Sequence, residues 1–297
     1  MTTEGALIGD RYRLGEPIGR GRRGFVWLAQ DERLHRTIAV MPIQLPRTTT
    51  PAAADRERAL ALTQAAQVSR IKHENVVTVY DVVPEGDDIW LIIEYVPSRP
   101  LSEFLSRNGR LPGAQTAALG AQLAAGLVAA HEYGVLHRGV EPANVLLADD
   151  GGVQLTDFGI GLVVQDPAYR APEVLRSGLV SASSDVFSLG ATLFTATVGA
   201  PPFGSTGNET APSLPATDDV LAPVLVRMLC ADPAMRPSMS GVADALTAVA
   251  NGAAPSAESL ASPAPIARPV PPVTRRTRPQ PTATAERGAL PTRPAPP

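Results

Sequence analysis

The apolar periodicity of this chain changes once, near residue 100, and that change constrains the fold most. Before it, short strand-like segments stand at residues 18–29, 37–43, 76–83 and 89–95, around one helical segment at 52–71. After it, apolar residues recur at helical spacing. Pro112-Gly113 opens a long helix that stops at Gly134. Val186, Leu189, Gly190 and Leu193 follow i, i+3, i+4 and i+7, with Ser183 or Ser184 as N-cap and Gly199 as the stop. Further helices are expected near 220–229 and 240–249. A hairpin should join 144–147 to 153–156 around Asp149-Asp150-Gly151-Gly152. A small β-rich unit followed by a larger helical one is an α+β, bilobal arrangement with a cleft between the lobes.

A change in composition comes near residue 250. Residues 251–297 hold twelve prolines, six arginines, two glutamates and few large apolar groups. Such a segment cannot bury enough surface to offset its ordering entropy, so it reads as a disordered, proline- and arginine-rich tail. It carries about +4, which leaves the rest near −7. Three parts follow: an N-terminal extension at 1–10, a folded domain at 11–250 with lobes at 11–95 and 96–250, and the tail at 251–297.

Composition also excludes. Apolar residues make up 44% of 297, enough for a sizeable core. A net charge of −3 gives no bulk attraction to nucleic acid or to an anionic membrane. Cys230 is the one cysteine, so no internal disulfide forms; it reads as a small buried apolar side chain. No apolar run approaches the roughly 18 residues a membrane span needs. The N-terminus lacks a basic stretch followed by an apolar one, so no signal peptide is expected and a cytoplasmic location is the default.

The candidate functional residues come as an ordered series. Gly19-x-Gly21-x-x-Gly24-x-Val26 lies between two strands rather than before a helix, which argues against a dinucleotide fold. His137-Arg138-Gly139-Val140-Glu141-Pro142-Ala143-Asn144 sits just past the long helix. Asp157-Phe158-Gly159, Ala171-Pro172-Glu173, Ser184-Asp185-Val186-Phe187-Ser188-Leu189-Gly190 and Asp232-Pro233-Ala234-Met235-Arg236-Pro237 follow in that order. Over about residues 11–249 this series resembles the bacterial eukaryotic-like Ser/Thr protein kinase family. The surplus of arginine over a single lysine, Lys72, fits a GC-rich bacterial genome of the actinobacterial type.

The resemblance implies a set of roles. Gly19, Gly21, Gly24, Val26, Glu94 and Val96 would border ATP, and Asn144 and Asp157 would hold magnesium. Glu173 would pair with Arg236, Asp185 would hold the catalytic-loop backbone, and Gly190 would let helices approach. The chemical groups depart from the family. Met41 stands in place of the strand lysine that grips the phosphates. Gln64 stands in place of that lysine's helix glutamate, with Glu57 two turns upstream as the alternative alignment. Gly139 replaces the catalytic aspartate, and Glu141 puts a carboxylate where a lysine would face the γ-phosphate. Between Gly159 and Ala171 lie eleven residues with no Ser or Thr, so Arg138 has no phosphothreonine to meet. The stretch from 203 to 221 is short, and the substrate-docking helix of relatives is expected to be lost.

Magnitudes separate binding from chemistry. A charge-assisted hydrogen bond contributes about 1.5–3 kcal/mol, so losing the lysine weakens ATP by about 10- to 100-fold. Losing the base costs about 10² to 10⁴ in rate. The leading reading is a pseudokinase, a regulatory or scaffold module with at most weak ATP–magnesium binding. Two rivals stay open: a low-activity kinase using Arg20, Arg22 or Arg23 of the glycine turn with Asp157-bound magnesium, and a nucleotide sensor that binds without turnover. In the tail, Thr274 and Thr277 lie beside arginines, which suits phosphorylation by an active Ser/Thr kinase and reading by an FHA-domain protein. Lys72, His35, His73 and His131 receive no role, and Trp27 and Trp90 read as strand aromatics.

Overall fold

The structure, a computed structural model, describes residues 3–21, 24–161, 165–204 and 220–261. The N-terminal lobe is a six-stranded antiparallel sheet. Its strands are β1 (Leu7–Ile8), β2 (Tyr12–Gly21), β3 (Gly24–Asp31), β4 (Arg36–Pro42), β5 (Val79–Glu85) and β6 (Asp88–Glu94), in the order β1-β2-β3-β4-β6-β5. The alternation along β4 explains why this register holds. Ile38 and Val40 join Tyr12, Leu14, Trp90 and Ile92 on one face, while Ala39 and Met41 face the main core on the other. A slip of one residue would exchange the two sets.

Helix α1 (Pro51–Val68) crosses the inner face. Thr50 caps it by accepting from the Ala53 N–H at 3.3 Å, and Pro51 starts it with its φ already set. Ala61, Ala65 and Val68 are its buried residues. The extended stretch after α1 joins the lobes: the Asn75 side chain donates to the Val153 carbonyl at 2.8 Å and to Gln122 at 3.3 Å. Gln122, the one polar break in the longest apolar run, therefore has an interior partner.

The C-terminal lobe begins with β7 (Ser98–Pro100), α2 (Leu101–Asn108) and α3 (Gly113–Glu132). Gly134 ends α3 at φ 69°, a left-handed position that favours glycine. The hairpin β8 (Val145–Ala148) and β9 (Val153–Leu155) follows, then α4 (Pro172–Ser177), α5 (Ala182–Val198), α6 (Ala222–Met228), α7 (Met239–Ala250) and α8 (Ala257–Ala261). Helix α5 is buried almost all round, the pattern of a central helix. A Cβ on Gly190 would stand 2.9 Å from Met228 Cβ, so glycine sets how closely α5 and α6 approach.

Several expectations need correction. The N-cap of α5 is Ser181; Ser184 is three residues on, its hydroxyl accepting from the Ser181 N–H at 3.1 Å. Cys230 is only partly buried, because it follows α6 where the chain turns outward. Helices α4 and α8 are too short for a periodicity argument and were not anticipated. The tail expected from residue 251 keeps contact with the domain as far as Ala261. Helix α8 packs on α7, and the Arg227 guanidinium donates to the Leu260 carbonyl at 3.2 Å. Thr274 and Thr277, most of the 203–221 stretch, and the side chains of Arg20, Arg22 and Arg23 lie outside the described residues.

Candidate active site in the interlobe cleft

A cleft of about 700 Å³ opens between the lobes. Ile18, Gly19, Val26 and Ala39 roof it, Met41 and Ile93 back it, and Glu94 to Val96 border it where the chain passes between lobes. Asn144, Leu146 and Asp157 stand on the opposite side. Gly24, at φ 119°, opens β3 opposite Gly21 of β2. The cleft thus gathers residues from the glycine-rich, Asp157-Phe158-Gly159 and His137-to-Asn144 segments.

The loop from His137 to Asn144 is suspended from α5. Asp185 is 1% exposed, and its carboxylate accepts from the His137 and Arg138 backbone N–H groups, each at 2.9 Å, and meets His131 Nε2 at 2.9 Å. Burial pushes the Asp185 carboxyl upward, but the bonds and charges of His131, His137 and Arg138 outweigh it and hold it below its ordinary value. Arg138 and Asp157 sit at φ 61° and 64°, left-handed conformations rare for such residues. Burial lowers the affinity of the Arg138 guanidinium for its proton, with Asp185 opposing. Arg138 Nε has no hydrogen-bond partner.

Each substituted position has a local account. Met41 is 4% exposed and lies in an apolar wall with Val68, Val77, Leu91, Phe158 and Ile160. Gln64 does not look toward Met41 for a bond; its Oε1 accepts from the Gly161 N–H at 2.9 Å, tying α1 to the segment after Phe158. Gly161 has φ 66°, and an added Cβ would stand 2.5 Å from the Gln44 carbonyl oxygen, so only glycine fits there. At Gly139 the N–H donates to His137 Nδ1 at 3.2 Å and the carbonyl accepts from Asn144 Nδ2 at 2.7 Å.

Glu141 lines the cleft as a buried carboxylate rather than an open one. It is 4% exposed, and its Oε2 accepts from the Asp166 N–H at 2.9 Å. Residues 165–170, just before Ala171, are tied in by side-chain hydrogen bonds. The Gln165 side chain bonds Ser188 Oγ at 3.2 Å and the Tyr169 carbonyl at 3.3 Å, and Arg170 reaches back to the Gln165 carbonyl at 2.8 Å. Tyr169 packs against the cluster of Phe187 and Phe194.

Below the cleft, Glu173 and Arg236 meet in a bidentate pair at 2.7 and 2.8 Å, with Arg236 0% exposed. The guanidinium also donates to the carbonyls of Cys230, Ser183 and Ala231 and lies over the Phe187 ring. Burial opposes ionisation of Glu173, but Arg236 and Ser184 prevail and keep its carboxyl below its ordinary value.

For magnesium, the oxygen donors fit. Bonding of Asn144 Nδ2 to Gly139 leaves Oδ1 as the free ligand atom, and Asp157 supplies a carboxylate. A hard cation held by few protein oxygens needs substrate phosphates to complete its shell. Among the described residues no group of three or more His, Cys, Asp or Glu side chains could hold a metal ion. Sequence reasoning missed His131, Gln165 and Asp166. His131 is 54 residues from its partner, and nothing local signals the contact.

This cleft, suspended loop and buried ion pair define a protein kinase domain. The family model for that domain matches residues 12–246, and the chain belongs to that family. It is 34% identical to the serine/threonine-protein kinase PkaA of Streptomyces coelicolor over 82% of this chain and 51% of the relative. It is 33% identical to PknA of Mycobacterium tuberculosis over 87% of this chain and 66% of the relative. The chain therefore spans about half to two thirds of the length of these relatives. The Mycobacterium tuberculosis PknI kinase domain superposes with a TM-score of 0.70 at 28% identity, covering 84% of this chain and 99% of that one.

Proposed function

We propose that this chain is a pseudokinase: a kinase-fold regulatory or scaffold module in which phosphoryl transfer is lost or residual. The observation that carries the reading is Met41. The position that should present an ammonium to phosphate is an apolar side chain packed into the wall of the cleft. Gly139 adds to it, since glycine has no group to take the substrate's proton. In the family, transfer depends on positioning and charge neutralisation rather than on covalent chemistry by the protein. Asn144 and Asp157 would hold magnesium here, and that ion would neutralise phosphate charge when bound. The chain's own contribution would be orientation of the loop by Asp185.

The test is transfer of radiolabelled phosphate from ATP to the protein itself and to a generic protein substrate. No transfer above background is expected. Robust transfer that disappears in Asp157→Ala would overturn the reading and favour a low-activity Ser/Thr kinase. That second reading draws on the intact frame: the Asp185 bracket, Asp157 at φ 64° and the Glu173–Arg236 pair. The proposed partner is a protein, either an active Ser/Thr kinase acting on Thr274 and Thr277 or an FHA-domain protein reading them, in the cytoplasm. Among the described residues no helix is long and apolar enough to cross a membrane.

A further inference from the structure

Residues 159–161 bridge the two lobes, with a backbone N–H bonded at each end. The Gly159 N–H donates to the His137 carbonyl at 3.0 Å. The His137 N–H in turn donates to the Asp185 carboxylate of α5 at 2.9 Å. At the other end the Gly161 N–H donates to Gln64 Oε1 of α1 at 2.9 Å. A line of hydrogen bonds thus runs from the central helix of one lobe to the helix of the other. Two glycines let the chain come this close. A Cβ on Gly159 would stand 3.0 Å from the His137 carbonyl oxygen, and one on Gly161 would stand 2.8 Å from Ile43 Cγ2. Ile160, between them, is 1% exposed and shares a wall with Met41, Val68 and Phe158.

The tie at position 64 differs in kind from an ion pair. An amide oxygen does not titrate, and it needs no cation at position 41, where a methionine stands. Salt screens charges and leaves a neutral bond almost untouched. The Gln64 bond and the packing of Ile160 therefore hold α1 through groups that require no phosphate.

We infer that Gln64 is a positioning residue: it ties α1 to the 159–161 bridge and fixes the helix against the C-terminal lobe whether or not nucleotide is present. A protein partner then meets one arrangement of the two lobes. This deepens the pseudokinase reading and rests on it for the use of that fixed shape by a partner.

The experiment is hydrogen exchange of the full chain, read by mass spectrometry, on the parent, Gln64→Leu and Gln64→Glu. Leucine keeps the bulk and removes the acceptor, whereas glutamate keeps an acceptor at the same reach. In Gln64→Leu, residues 51–68 and 157–161 should exchange about 2- to 10-fold faster, the factor that one net hydrogen bond supplies. Helix α5 should exchange as before, which shows that the variant is folded. Gln64→Glu should exchange as the parent does. The ratio of the leucine variant to the parent should be the same at low and high salt. Magnesium–ATP added to the parent should leave both segments as slow as they were.

Equal exchange in the parent and Gln64→Leu would overturn the inference, because packing alone would then hold α1. Loss of the difference at high salt would overturn it too, by showing that charge carries the tie. So would clear slowing of residues 51–68 in the parent on adding magnesium–ATP, since nucleotide would then set the position of α1. If the leucine variant loosens α5 as well, Gln64→Glu decides: parent-like rates support the acceptor role and loosened ones sink it. Radiolabelled transfer measured on the same chains separates the two ideas. Transfer with the expected exchange pattern sinks the pseudokinase reading alone, and equal exchange without transfer sinks the Gln64 tie alone.

Discussion

The helical lobe and the interlobe cleft handle buried charge differently. In the helical lobe two buried charges are fully partnered: Asp185 with His131 and two loop amides, Arg236 with Glu173 and three carbonyls. In the cleft, positions 41 and 64, where the family resemblance implies a charged pair, carry Met41 and Gln64, neither of them ionisable. The physics of burial explains the contrast. Removing one partner of a buried pair leaves an uncompensated charge, costing about 3–5 kcal/mol, whereas replacing both partners by groups that suit the site costs little. The paired frame therefore resists change at one partner alone, whereas Met41 and Gln64 carry no charge that imposes such a constraint.

The sharpest way to break this comparison is to remove one side of the buried pair. Arg236→Ala and Glu173→Ala should each destabilise the fold by about 3–5 kcal/mol, a fall in melting temperature of roughly 10 °C for a domain of this size. Arg236→Ala also leaves the carbonyls of Ser183, Cys230 and Ala231 without their donor. If both variants melted within a degree or so of the parent chain, the frame would be no more dependent on paired charge than the cleft.

Acid should attack the same region. Asp185 and Glu173 are both held below their ordinary values of 3.8 and 4.5. The unfolded chain therefore binds protons first as the pH falls. The stability these carboxylates contribute is complete above about pH 5 and is lost as the pH drops through and below 4. Melting curves from pH 6 to pH 3 should show a steep fall at the acid end, flattened in Glu173→Gln relative to its own value at pH 6. A fall of equal steepness in that variant would assign the acid sensitivity elsewhere.

In the cleft, a charge should now be unwelcome. Met41→Lys places an ammonium in the wall formed by Val68, Val77, Leu91 and Phe158 and should cost about 1–3 kcal/mol. Adding Gln64→Glu should return part of that loss, with a coupling of about 0.5–3 kcal/mol in a double-mutant cycle by chemical denaturation. Zero coupling would show that α1 presents position 64 to Gly161 alone.

How much of this was readable in advance follows from the range of each interaction. The lobes, the hairpins and the long helices were legible because period and turn chemistry are local, as at Pro112-Gly113 and Gly134. The motif order placed Asn144, Asp157, Asp185, Glu173 and Arg236. Glu141 was read as a carboxylate standing where a lysine would face the γ-phosphate, and its bond to the Asp166 amide escaped notice because a backbone N–H 25 residues away carries no sequence signature. The hold of α8 on α7 was hidden in the same way. Gly241 admits the Ser259 carbonyl only because it lacks a Cβ, and nothing around Ser259 announces that contact.

The smallest expected effect is at Gly139, and it sharpens the contrast most finely. A Cβ there would meet Asn144 Nδ2 at 3.5 Å and His137 Nδ1 at 3.7 Å, ordinary contact distances, and its φ lies outside the left-handed range. The loop therefore has room for a Cβ at this position. Gly139→Asp should fold with a stability within about 1 kcal/mol of the parent, since a side chain at a compatible backbone position reduces the freedom of the unfolded chain. It should not restore transfer, because a general base supplies about 10² to 10⁴ in rate and cannot replace the missing cation at position 41. Melting temperature and radiolabelled transfer read the two effects separately. A drop of more than about 5 °C would mean that the loop has closed over the lost residue. Measurable transfer from this change alone would mean that the cleft had lost only its base, and that the apolar wall around Met41 does not prevent productive binding of ATP.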